Sequence, residues 1–207
     1  MTSNGAPPAP PPPAVDVRRV EGEAAEGLAG LVERFDDLQS VLRCCERLVA
    51  ELAGDDPDEV VVEAVWTMAL LSYARCFAAG DSDVHLTEDD LTPAQPGGEV
   101  VEWHRLLLQL RDHYADPVVN PRERFSVGVT QDDAGAASGV AITSARQPLV
   151  DDLTVRQTGA IAYALRGILD ERIESRQKEV LEGLKEASPD DLDRLVRLDV
   201  VDPSQGP

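Results

Sequence analysis

The chain has 207 residues with 39 acidic against 19 basic side chains, a formal net charge of −20, 43 % apolar content and only 4 % aromatic content. That supply suffices for one domain with a core of Leu, Val and Ala. A negative field of this size repels phosphate, so double-stranded DNA is not an expected partner. Cys44 and Cys45 are adjacent and Cys76 stands alone, which suits neither a disulfide framework nor a zinc site. They read as free buried thiols of a cytoplasmic protein, and no metal or cofactor is expected.

Residues 1–15 form a proline run without the basic start and unbroken hydrophobic stretch of a signal peptide. A disordered tail over 1–22 is predicted, with docking to a proline-reading domain as the alternative. From Glu23 the chain turns helical. Leu28, Leu31, Phe35, Leu38, Leu42, Cys45, Val49 and Leu52 alternate spacings of three and four, and Val32, Val41 and Leu48 widen the seam, which predicts a helix over 23–53. Gly54-Asp-Asp-Pro57 stops it, and Asp56 is the expected cap of a second helix over 57–79. That helix is apolar nearly all round and is expected at the centre of a bundle. A membrane span is excluded, because Glu63 and Arg75 would each cost roughly 3 kcal/mol in lipid. Arg75 reads as half of a structural ion pair with Asp112, Asp116 or Glu102. The stretch from Gly80 to Val101 holds Asp81, Asp83, Glu88, Asp89, Asp90 and Glu99 without Lys or Arg, and reads as a solvated acidic loop.

A third helix is predicted over 98–116, with Val100, Trp103, Leu107, Leu110 and Tyr114 as its buried stripe and His104 and Arg111 along the stripe's edge. Pro117 ends it. Alternating residues in Arg124–Thr130 and Gly139–Ser144 predict a β-hairpin over 124–144. Asp151, Asp152 or Thr154 starts the last long helix, 153–187, whose face is Ile161, Leu165, Ile168, Leu169 and Ile173. Ser188-Pro opens a short helix to about Leu198. The expected fold is mostly α: an up-and-down bundle of four to five helices over 23–198, with a small hairpin insert before the last long helix and a disordered tail over 199–207.

Ser72-Tyr-Ala-Arg-Cys-Phe77 in the second helix, and His104 followed by Leu110-Arg-Asp-His-Tyr-Ala-Asp116 in the third, resemble the HEPN superfamily of bacterial helical domains over roughly residues 25–185. The resemblance implies a homodimer whose motif ends meet across a two-fold axis, RNA or a nucleotide as ligand, and a defence or stress setting. In active members it implies metal-independent RNA cleavage by an arginine and, after four to six intervening residues, a histidine. A guanidinium holds phosphate and imidazole moves a proton near neutral pH. The arginine is Arg111, but after four intervening residues this chain has Asp116, followed by Pro117. A carboxylate repels a scissile phosphate and, with an ordinary pKa of about 3.9, is a poor proton donor at pH 7. His113, two residues from Arg111, points to a different side of the helix.

The catalytic candidates are therefore Arg111, His104, His113 and Asp116, and the binding candidates are Arg75, Arg111, Asp112 and Tyr114. Arg111 and Asp116 are expected to form a charge pair or pocket edge. The expected function is a noncatalytic HEPN-like protein acting through self-association and ligand or partner binding. The alternatives are a live ribonuclease using Arg111 with His104 or His113, and an acidic helical scaffold unrelated to RNA.

Overall fold

The computed structural model describes residues 16–78, 84–94 and 99–199. The proline run, Asp81, Asp83 and residues 200–207 lie outside the described residues. The fold is mostly α, as expected. In chain order the elements are β1 (Val17–Arg18), α1 (Glu23–Leu52), α2 (Glu59–Cys76), a 3-10 turn (Glu88–Asp90) running into α3 (Leu91–Ala94), α4 (Val100–Ala115), β2 (Glu123–Gln131), β3 (Ala137–Arg146), α5 (Asp152–Leu184), α6 (Pro189–Asp193) and β4 (Arg197–Leu198).

Helix α1 packs against α5 on one side and α2 on the other, and α2 packs in turn on α4. Two neighbours demand a wide apolar face. The apolar residues of α1 that become buried are Leu31, Leu38, Val41, Cys44, Cys45 and Leu48, while Phe35, Leu42 and Val49 lie half-covered beside them and Val32 is exposed. From α5 come Val155, Ile161, Ala162, Leu165, Leu169 and Ile173. Its start uses the first of the three anticipated caps: Asp151 accepts from the Thr154 amide at 2.7 Å.

Helix α2 begins two residues later than expected. Asp58, not Asp56, is the cap, because its carboxylate accepts from the amides of Val60 and Val61 at 2.9 and 3.2 Å, and Glu51 accepts from the Asp58 amide at 3.0 Å, which draws the turn back onto α1. Nor is α2 wholly enclosed. Val62, Trp66, Leu70 and Tyr73 are buried, but Val60, Met68 and Leu71 are exposed, so its even apolar coating overstated its burial.

The segment read as a solvated acidic loop is also corrected over its described part. Leu86 and Leu91 are fully buried, the Asp90 side chain accepts from the Thr87 amide at 2.8 Å, and Asp90 pairs with Arg172 of α5. Two buried leucines and one neutralised carboxylate hold the segment down; Asp89 and Glu99 are exposed, and Glu88 pairs with Arg105 at the surface. The end of the expected 1–22 tail is likewise structured: Val17 and Arg18 pair antiparallel with Leu198 and Arg197. Arg18 also donates to the Asp193 and Leu195 carbonyls at 2.9 and 3.1 Å. The terminal helix consequently stops at Asp193, and the chain continues as the strand β4.

Candidate functional site

Helix α4 carries most of the anticipated site. His104 is only 2 % exposed. Its Nδ1 lies 3.0 Å from the Tyr73 hydroxyl, and its ring centroid sits 4.2 Å from that of Phe77. Burial lowers the histidine's pKa below the ordinary value, with Glu88 opposing and Arg105 assisting. Burial raises that of Tyr73. A protonated phenol therefore meets an uncharged imidazole, and the tautomer of the ring sets which of the two donates. Such a histidine belongs to the core and makes no described contact with Arg111.

Arg111 is half-buried and close to its own neighbour, Nε to Asp112 Oδ1 at 2.8 Å. The angle does not make a hydrogen bond, so the buried Nε–H has no acceptor among the described residues. Asp116 ends α4 with an extended ψ of 119°, as the following proline requires. Its Oδ1 accepts from the Val118 amide at 2.8 Å, an Asx turn. The expected Arg111–Asp116 charge pair is thus not formed, because one partner leans along the helix and the other caps the turn. His113 is exposed and meets Tyr114 edge-on at 6.2 Å.

Tyr114 belongs to a junction that sequence reasoning missed. Burial raises its pKa first and Glu63 adds to this, with Arg122 opposing. Arg122 Nε lies 2.8 Å from Glu63 of α2, and Arg146 pairs with Glu59 at 3.0 Å. The Gln147 amide donates to the Arg122 carbonyl at 2.8 Å. Two arginine–glutamate pairs thereby root both strands of the β2–β3 hairpin on the first turns of α2, beside the C-terminal end of α4.

Arg75 pairs with neither Asp112, Asp116 nor Glu102. Its partner is Asp37 of α1, to which Nε donates at 2.9 Å, and the same guanidinium reaches Ser72 Oγ at 3.1 Å. Asp37 also faces Arg34 at 3.9 Å. Burial, then Asp37, pushes the adjacent Cys76 thiol up to about 12, so it is uncharged and a poor nucleophile at neutral pH. The Tyr73–His104 contact and the Tyr114–Glu63 proximity fix α2 and α4 as antiparallel. Arg75 lies toward the first of these and Arg111 toward the second, so the two anticipated binding arginines are at different ends of the helix pair.

All three cysteines are free and buried. Among the described residues no group of three or more His, Cys, Asp or Glu could hold a metal ion, and no described helix is long and apolar enough to cross a membrane. No family model, curated protein or solved structure matches the chain. The HEPN resemblance accordingly rests on its two short motifs.

Proposed function

We propose that this chain is a noncatalytic HEPN-like protein, an up-and-down bundle with a hairpin before its last long helix. In this reading it acts in the bacterial cytoplasm by self-association at the end that holds the α4 motif. The observation that carries it is the state of the motif. His104 is enclosed and bonded to Tyr73, Asp116 is committed to the Val118 amide, and Arg111 faces Asp112. No acid/base couple is assembled beside Arg111 among the described residues, which is what general acid–base cleavage requires first. Exposed Val118, and Val60 at the start of α2, add apolar surface near the same end and support association.

The test is an RNA-cleavage assay on the purified full chain together with its mass in solution. The expected result is no cleavage, no effect of Arg111→Ala, and a dimeric mass. Cleavage that Arg111→Ala abolishes in a folded variant would overturn the noncatalytic part, and a monomeric mass at tens of micromolar would overturn self-association.

A further inference from the structure

Charged residues make up 28 % of the chain, yet none occurs from Phe125 to Gln131 or from Ala134 to Ala145. These stretches are most of β2 and β3. Their register pairs Val127 with Ile142 and Val129 with Val140, and sets Phe125 opposite Ser144. Directly opposed residues share a face, so Phe125, Val127, Val129, Val140 and Ile142 form one apolar surface. It is uncovered: the five are 57, 74, 63, 75 and 74 % exposed. The reverse face carries the small side chains Ser126, Gly128, Ala141 and Thr143, with Arg124 at its root end. An isolated two-stranded ribbon is marginal in water. Between its charged root and tip this one has no charge or proline along its edges and so lacks the usual defences against association.

Resting on the self-association reading above, we infer that the occupant of this face is the same face of a second copy. The two hairpins then run antiparallel across a two-fold axis that lies between them. An uncharged ribbon is a place where two copies of net charge −20 can meet without like-charge contact, and its ends set the orientation. Each hairpin is acidic at its tip, Asp132 and Asp133, and mixed at its root, where Glu123 opposes Arg146 on the apolar face and Arg124 lies on the reverse face. Arg122 and Arg146 are further engaged by Glu63 and Glu59. Antiparallel packing lays each acidic tip over the partner's charge-balanced root at both ends of a closed two-fold contact. A parallel arrangement would set aspartate on aspartate. The five side chains offer roughly 600 Å² per copy, about 1,200 Å² in total, the lower bound of a specific, stable interface.

Sedimentation of the full chain tests this. The wild type should sediment at twice the chain mass of 22.3 kDa. Val127→Asp and Ile142→Asp, made separately on the two strands at exposed positions, should each give the monomer mass with an unchanged helical circular dichroism spectrum. Persistence of the dimer in both folded variants would overturn the hairpin interface and leave self-association standing. A monomeric wild type would overturn both. Orientation is read by cross-linking at the tip, since the three native cysteines are buried. Asp133→Cys should give no disulfide-linked dimer on mild oxidation, because the two tips lie at opposite ends of the contact. A disulfide-linked dimer of that variant would place tip on tip and overturn the antiparallel arrangement.

Discussion

His104 shows how one buried polar group becomes a measurable property. Its folded-state pKa lies below the ordinary histidine value because protonation would bury a charge. Below about pH 6.5 the unfolded chain takes up a proton that the folded chain refuses, so this contribution to stability is present above that pH and is lost as the pH falls toward the folded value. His104→Gln should therefore flatten the decline of Tm between pH 7 and pH 5 relative to the wild type, even if it lowers Tm at pH 7. An equally steep decline in the variant would assign the pH dependence elsewhere. A second residue-level expectation concerns Asp37, which is buried and faces Arg75 and Arg34. Arg75 is more than half exposed, so solvent screens the pair, and Asp37→Ala should cost only on the order of 1 kcal/mol in denaturant unfolding. A loss several times larger would mean that the arginines depend on Asp37 more than their exposure indicates.

At the scale of elements, the docking of residues 84–94 onto the bundle depends on a glycine. A Cβ added to Gly30 of α1 would stand 2.5 Å from Val84 Cγ1. Alanine gains up to about 1 kcal/mol of helix propensity, but an overpacked contact costs roughly 1–3 kcal/mol. Gly30→Ala should therefore destabilise, and Val84→Ala should relieve it in the double variant. A neutral Gly30→Ala in thermal unfolding would show that Val84 moves aside freely. No pattern in the sequence announces this contact, since it joins residues 54 positions apart. The long helices were legible because heptad spacing over thirty residues is redundant, and the hairpin was legible from two alternating runs around a turn. The Asp56/Asp58 choice failed because both acids precede the same apolar run. The pairing of β1 with β4 was invisible in two-residue strands at opposite ends of the chain. In the site, the departure at Asp116 could be read directly. The partners of Arg75, His104 and Arg122 could not, because Asp37, Tyr73 and Glu63 lie on other helices, where only packing sets the distance.

For the whole molecule, the dominant fact is charge. A net charge of −20 on 207 residues makes the compact state repel itself, since folding gathers the charges that the unfolded chain spreads apart. The ion pairs that could oppose this screening argument are mostly exposed: Arg105 with Glu88, Arg156 with Asp152 and Arg194 with Asp191 are surface contacts, each worth little and each weakened by salt. Raising the salt from 10 mM to 150 mM shortens the screening length from about 30 Å to about 8 Å, which removes the long-range repulsion while costing little in the local pairs. Stability should consequently rise with salt by on the order of 1 kcal/mol, or roughly 2–4 °C in Tm for a chain of this size. Sodium chloride and potassium chloride should act alike, because screening depends on ionic strength. A Tm that falls with salt would show that the surface pairs outweigh the net repulsion. A rise seen only with sulfate would assign the effect to strengthened apolar burial instead.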